Sequence, residues 1–108
     1  MVDWDKVEGF DWDAGNARKS ADKHLVTQAE AEQIFFNEPL LIVSDVKHSQ
    51  MEARDHALGK TEAGRLLHLT FTLRGEITLL RVISARPMHK KERMIYAQAI
   101  EKDSEIQE

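Results

Sequence analysis

The strongest constraint on the fold of this chain is a pair of strand-like runs in its second half. In residues 65–73, every second residue from position 67 is apolar: Leu67, Leu69, Phe71 and Leu73. This alternation is typical of a strand with one buried face. A second strand-like run covers residues 77–85, and Arg74 and Gly75 form a turn between the two. The pattern predicts an antiparallel hairpin.

The segments before the hairpin predict two helices and three further strands. We expect a short edge strand at 10–12, helices at about 14–24 and 28–36, and strands at 40–43 and 54–60. Thr27 and Glu30 have the spacing of a capping box, which would begin the second helix. Pro39 ends that helix. Residues 45–52 are polar and are expected to form a loop.

A third helix is expected after the hairpin, at about 88–102, with Pro87 in its first turn. We expect Met94, Ile95 and Ala99 to face inward. The fold class is therefore α+β, with two N-terminal helices, an antiparallel meander of about four strands and a C-terminal helix. The 108 residues fit a single domain, 1–108, with loose ends at about 1–9 and 103–108.

The charge distribution points to a polyanion as a partner. The chain has a net charge of −4, but residues 60–93 carry eight Lys and Arg against three Glu, a net charge of +5. Residues 1–55 carry twelve acidic and six basic side chains. Clustered positive charge is what binding to RNA requires. A solvated sheet edge and helix face is the alternative explanation.

Several classes of site are not supported by the sequence. The chain has no cysteine, and its five histidines show no metal-ligand spacing. No glycine-rich phosphate loop is present, and we expect no cofactor and no metal. The N-terminus is polar and acidic, which argues against a signal peptide, and no apolar run is long enough to span a membrane. We therefore expect a cytoplasmic protein that does not bind membranes.

Arginines are the most prominent candidates for chemistry. Arg81 and Arg86 lie five positions apart on one predicted strand, which would place them on opposite faces. Arg81 would then share a face with apolar residues and must be paired or lie where that face is partly open. A salt bridge with Glu52 or Glu76 is the alternative role for either arginine.

Guanidinium groups suit RNA cleavage because they bind phosphate oxygens bidentately and stay charged. Attack by the RNA 2′-OH needs a base, charge stabilisation at phosphorus and an acid for the leaving oxygen. His24 is the first candidate for base or acid, and His68 is the second. Tyr96 could donate a hydrogen bond or stack on a nucleobase.

Two sets of residues resemble the BrnT family of bacterial toxins. The opening set consists of Phe10-Asp11-Trp12-Asp13, Asn16 and Lys23-His24. The closing set, which is more specific, consists of Ile83-Ser84-Ala85-Arg86, Lys91-Glu92-Arg93 and Tyr96. The resemblance covers roughly residues 10–97. It implies a RelE-like fold and a ribonuclease toxin of a type II toxin–antitoxin system that cleaves RNA without metal.

The resemblance also implies partners and functional residues. The toxin would be neutralised by a BrnA-like antitoxin with a ribbon-helix-helix domain, and the complex would repress its own operon, contacting operator DNA only through the antitoxin. By position, the implied functional residues are Lys23, His24, Arg54, Arg81, Arg86, Arg93 and Tyr96. We predict catalytic roles for His24, Arg54, Arg86, Arg93 and Tyr96. We predict RNA contacts for Lys23, Arg65, Arg81, Lys90 and Lys91.

One residue departs from the family pattern. Leu25 stands where the family has glycine after Lys-His, and leucine disfavours a left-handed helix cap. We therefore expect the first helix to end differently. The alternative function is a non-catalytic module of the same fold that binds an antitoxin or another protein. A DNA-binding regulator is not supported, because no helix-turn-helix pattern is present.

Overall fold

The computed structural model describes residues 4–16, 18, 24–44, 53–74 and 78–106. The predicted loop at 45–52 lies outside them, as does most of the first predicted helix. Residues 14–16, 18 and 24 are helical. The other elements, in chain order, are a 3-10 helix Trp4–Lys6, β1 Gly9–Phe10, α1 Gln28–Gln33, a 3-10 helix Ile34–Phe36, β2 Leu41–Ser44, β3 Arg54–Lys60, β4 Leu66–Arg74, β5 Leu79–Pro87 and α2 Lys90–Ile106.

The five described strands form one sheet in the order β1-β5-β4-β3-β2. Strands β2 to β5 are the predicted antiparallel meander, with β4 and β5 as its hairpin. The edge strand β1 pairs in parallel with β5. The α+β fold class predicted from the sequence is therefore confirmed. No helix in the described part of the chain has the length and apolar character needed to cross a membrane.

The start of the last helix differs from the prediction. Pro87 is the final residue of β5 and does not lie in a helix. The chain stays on the sheet beyond it, because the Met88 backbone N–H donates to the Leu66 carbonyl at 3.0 Å. Helix α2 therefore begins only at Lys90.

A β-bulge in the hairpin overturns the predicted faces of two arginines. Thr70 pairs with Ser84 and Phe71 pairs with Val82, so Ile83 is an extra residue on β5. An extra residue reverses the alternation of side chains beyond it. Arg81 and Arg86 consequently lie on the same face of the sheet, although their odd spacing predicted opposite faces.

One face of the sheet packs against α1 and the 3-10 helix that follows it. Its buried core includes Leu67, Leu69, Phe71, Leu80, Val82 and Ala85 from the hairpin, with Val26, Ala31 and Ile34 above them. Gly59 allows the closest approach, because a Cβ there would lie 2.8 Å from the Ile34 Cβ. The capping box is confirmed: the Glu30 N–H donates to Thr27 Oγ1, and the Thr27 N–H donates to the Glu30 carboxylate.

Helix α2 packs on the other face through a different residue than predicted. Tyr96 is fully buried, whereas Met94 and Ile95 are exposed, so the predicted inward face was wrong for these two; Ala99 is half-buried. Tyr96 lies in a small cluster whose other members are Leu58, Met88, Leu41 and Leu66. Its hydroxyl donates to the Pro39 carbonyl at 2.6 Å, which satisfies the polar end of the ring.

Leu25 adopts the left-handed conformation that its side chain disfavours. Its φ is 55°, so leucine here takes the backbone conformation expected of glycine, contrary to the prediction. The Leu25 carbonyl accepts a hydrogen bond from Arg65 Nη1 at 2.7 Å, which holds the backbone in place. The side chain itself is 77% exposed and packs little.

We expect Leu25→Gly to stabilise the protein by about 0.5–1 kcal/mol, because glycine removes left-handed strain and little packing is lost. Thermal unfolding should show a melting temperature roughly 2–8 °C higher. Leu25→Ala is the matched control, since alanine keeps the Cβ and its strain. A glycine variant no more stable than the alanine variant would contradict this account.

Candidate functional site

Strand pairing brings polar side chains from β3, β4 and β5 onto the sheet face opposite the α1 core. Residues that pair directly across neighbouring strands project to the same side. Arg54 pairs with Thr72 and His56 with Thr70. We refer to this surface as the polar face, and its members are Arg54, His56, His68, Thr70, Thr72, Arg81, Ser84 and Arg86.

A bidentate ion pair joins the polar face to helix α2. Arg86 Nη1 and Nη2 donate to the two carboxylate oxygens of Glu92 at 2.8 and 2.9 Å. The His89 backbone N–H donates to the same carboxylate at 2.8 Å. The Arg86 hydrogen bonds are the main reason that the pKa of Glu92 falls to about 2, with the His89 N–H also lowering it. Glu92 is therefore ionised and holds the first turn of α2 on the sheet.

His68 lies beside this ion pair and is uncharged at neutral pH. Its Nε2 is 3.6 Å from Glu92 Oε2. Burial, followed by the positive charge of Arg86, lowers the pKa of His68 to about 4, although Glu92 opposes the shift. Its Nδ1 is buried and has no hydrogen-bond partner among the described residues. A buried polar atom left in this state costs about 1–3 kcal/mol.

His56 packs against His68 from the neighbouring strand. The two rings have centroids 4.9 Å apart and are tilted by 38°. His56 Nδ1 lies 3.0 Å from Thr70 Oγ1, at hydrogen-bond distance. His56 was not among the site residues predicted from the sequence. The position of the turn between β3 and β4 could have indicated this residue. That turn sets the strand register, which places residues 56 and 68 diagonally across the two strands.

Arg81 is held by carboxylates from the start of the chain. Its guanidinium is 2.9 Å from Asp13 Oδ2 and 3.5 Å from Asp11 Oδ2. The Asn16 N–H and then Arg81 lower the pKa of Asp13, and the bond to Asp13 raises the pKa of Arg81. Arg81 therefore forms a salt bridge, which was the alternative role expected from the sequence, but its partners are Asp11 and Asp13. The suggested Glu52 and Glu76 lie outside the described residues.

Arg65 is a clamp between β4 and the segment before α1. Its Nη1 donates to both carboxylate oxygens of Glu30 at 3.1 and 3.0 Å, in addition to its bond to Leu25. Its Nη2 is 3.4 Å from the His24 carbonyl. The Thr27 N–H and then Arg65 lower the pKa of Glu30. Arg65 and His24 thus meet at the start of α1.

The remaining predicted site residues are spread over the molecule. Arg54 is half-buried on the polar face, and His24 is half-buried near Arg65. Arg93 Nη1 donates to the Met88 carbonyl at 2.8 Å. The predicted residues Lys90 and Lys91 are both exposed in the first turn of α2. Tyr96 is buried, so its ring cannot stack on a nucleobase in this conformation. Lys23 lies outside the described residues.

The polar face thus combines arginines with two neighbouring imidazoles, groups that can bind a phosphate and transfer a proton. Among the residues described, no group of three His, Asp or Glu lies close enough to hold a metal ion.

A comparison with protein-family models finds a match. Residues 12–92 match the model described as the ribonuclease toxin, BrnT, of type II toxin–antitoxin systems. The match covers the polar face and the first turn of α2. A search of curated proteins finds no match.

We expect Glu92→Gln to destabilise the protein at neutral pH. The pKa fall from 4.5 to about 2 corresponds to about 3 kcal/mol, which solvent at this partly exposed carboxylate reduces to about 1–2 kcal/mol. Because the pKa is lower in the folded state, the stabilisation is present above pH 4.5 and is lost as the pH falls towards 2. Urea unfolding at pH 7 and at pH 3 measures both effects.

The control for this experiment is Glu101→Gln, which changes an exposed glutamate on the same helix. The control should match the wild type at both pH values. If Glu92→Gln also unfolds at the wild-type urea concentration at pH 7, the ion pair does not stabilise the fold.

Proposed function

The chain belongs to the BrnT family of ribonuclease toxins of type II toxin–antitoxin systems, and we propose that it is an endoribonuclease that cleaves RNA without metal on its polar face. In this reaction the RNA 2′-oxygen attacks the neighbouring phosphorus. The protein supplies a proton acceptor and positive charge for the phosphate in the transition state. The observation that carries the proposal is the shared face of Arg54, Arg86, His56 and His68.

Arg54 and Arg86 are proposed to bind the reacting phosphate. Glu92 holds Arg86 on the polar face, so the guanidinium lies at the site before RNA binds, and it must exchange Glu92 for phosphate oxygens to stabilise the transition state. Arg54 lies next to His56 along the same face of β3. These two arginines act at the reacting phosphate in the proposal.

The start of α2 is proposed to bind the flanking RNA backbone. Lys90 and Lys91 are exposed in its first turn, and Arg93 follows them. A helix N-terminus carries partial positive charge, so two lysines there add to an existing attraction for phosphate. Lys23 remains a predicted RNA contact and His24 a predicted catalytic residue. We propose that Arg65 and Arg81 act indirectly, by holding carboxylates of the chain. We propose that Tyr96 anchors α2 on the sheet by packing.

The antitoxin is proposed to be a BrnA-like protein with a ribbon-helix-helix domain, whose complex with the toxin represses the operon. We propose that it docks in an apolar groove of about 280 Å³ near the sheet and the N-terminal helices. Its lining includes Trp4, Phe10, Phe35, Phe36 and Glu8. Phe36 is 78% exposed and Trp4 is 40% exposed. Exposed aromatic residues at a groove are typical anchors of protein interfaces.

The second candidate function is a module of the same fold that binds an antitoxin without cleaving RNA. One observation favours it: carboxylates of this chain already engage Arg65, Arg81 and Arg86. If these pairs do not open for RNA, positive charge for phosphate would come only from the other basic groups.

Expression in bacteria separates the two candidates. The proposed ribonuclease should arrest growth and deplete bulk RNA, and Arg86→Ala should relieve both effects. Arg18→Ala is the control, because it removes an exposed arginine outside the polar face. Circular dichroism of the purified variants establishes that they are folded.

The Glu92→Gln variant is compared in the same expression assay, because it breaks the ion pair with Arg86 but leaves the charge of Arg86 in place. Arrest by a folded Arg86→Ala variant would contradict the role of Arg86. A wild-type protein that causes no arrest would favour the non-catalytic module.

For the groove, we expect Phe36→Asp to weaken antitoxin binding at least tenfold with little loss of stability, since the side chain is exposed. Val43→Asp is the control, because Val43 is 62% exposed on the distant edge strand β2. Calorimetry measures affinity, and hydrogen exchange with and without antitoxin maps the interface. Equal affinities for the two variants, or no protection at the groove, would move the docking site elsewhere.

A further inference from the structure

The imidazoles of His56 and His68 lie at the centre of the polar face, and the function proposed so far gives them no individual chemical role. The His56 and His68 rings lie 4.9 Å apart, and both residues are half-buried. His56 Nδ1 lies 3.0 Å from Thr70 Oγ1, at hydrogen-bond distance, and His68 Nε2 lies 3.6 Å from Glu92 Oε2, beyond it. The contacts with Thr70 and His68 therefore orient the His56 ring.

These contacts form a continuous series from helix α2 to strand β3. Arg86 fixes the Glu92 carboxylate, Glu92 lies 3.6 Å from His68, and the His68 and His56 rings are in tilted contact. On its other edge, His56 meets Thr70 from β4. The Thr70 contact can fix the tautomer of His56, because the hydrogen-bond partner on one ring nitrogen decides which nitrogen accepts a proton.

We propose that His56 is the general base of RNA cleavage and that Thr70 and His68 are its positioning residues. This inference rests on the proposed ribonuclease function. In the active tautomer, His56 Nδ1–H donates to Thr70 Oγ1 and Nε2 accepts a proton. The tilted contact with His68 limits rotation of the His56 ring, and Glu92 lies beside His68.

The proposed step balances without any further reactant except water. His56 Nε2 takes the proton of the RNA 2′-OH, and the 2′-oxygen forms a bond to phosphorus. The bond from phosphorus to the 5′-oxygen breaks, and that oxygen leaves with a proton from water. The products are a 2′,3′-cyclic phosphate and a 5′-hydroxyl, and the imidazolium returns its proton to solvent.

Among the residues that the structure describes, the charges around His56 are compatible with this role. Arg54 follows it on the same face of β3, and Thr70 and the neutral His68 face it from β4. Val43 pairs with it on β2. Behind His68, the charges of Arg86 on β5 and Glu92 on α2 are opposite and paired. His68 is uncharged at neutral pH, so it adds no positive charge beside the His56 ring.

The test is the cleavage of a short fluorescent RNA by purified full-length protein, with kcat and KM measured from pH 5 to 9. We expect His56→Gln to lower kcat about 100-fold or more with KM within about threefold, since a general base acts in the transition state. The fall in kcat/KM at acid pH, where a base is protonated, should disappear. His89→Gln, at an exposed histidine, should retain the wild-type profile.

The positioning residues are tested by substitutions that preserve shape. Thr70→Val is close in shape but removes the hydroxyl, and we expect about a tenfold loss in kcat and a shifted acid limb. Thr70→Ser restores the hydroxyl and should restore most of kcat. We expect His68→Phe to shift the acid limb as well. If His68 had a purely structural role, the pH profile would stay in place.

The outcomes separate this inference from the proposed function. A wild type that cleaves RNA, with a folded His56→Gln variant retaining kcat and the acid limb, overturns the inference alone. If His56→Gln does not fold, equal kcat values for Thr70→Val and Thr70→Ser overturn it. A wild type that does not cleave RNA overturns both proposals.

Discussion

The ion pair between Arg86 and Glu92 joins the end of the last strand to the first turn of the last helix. Without it, α2 would be held on the sheet mainly by the buried Tyr96 and the small apolar cluster around it. Burial is the main cause of the low pKa of His68, and the pair acts on the same group, because Arg86 lowers this pKa further and Glu92 opposes the fall. The helix position and the electrostatics of the polar face thus depend on the same contact.

The sheet separates packing from chemistry by its two faces. The face under α1 is apolar and closely packed, as the 2.8 Å approach to Gly59 indicates. The other face carries the arginines and histidines. The extra residue Ile83 keeps this separation, because it lets β5 contribute Leu80 and Ala85 to the core while Arg81 and Arg86 share the polar face. A regular strand would have placed one of these arginines in the core.

Local sequence patterns predicted the helices and strands well, but they predicted the contacts between distant residues less well. The hairpin and the capping box at Thr27 depend on residues close in sequence, and both are as predicted. The bulge at Ile83 has no local signature, since it appears only in the pairing with β4. His56 and His68 are twelve positions apart, and only the strand register brings their rings together. Leu25 takes a left-handed conformation because a distant arginine holds its carbonyl.

The central claim is that this chain cleaves RNA through the 2′-hydroxyl without metal. The most direct test is mass spectrometry of the products from a defined RNA incubated with purified toxin and excess EDTA, beside the same RNA with a 2′-O-methyl group at the cleaved position. The account predicts a 2′,3′-cyclic phosphate and a 5′-hydroxyl from the first RNA and no cleavage of the second at that position. Cleavage that requires added divalent metal, or products ending in a 5′-phosphate, would contradict it.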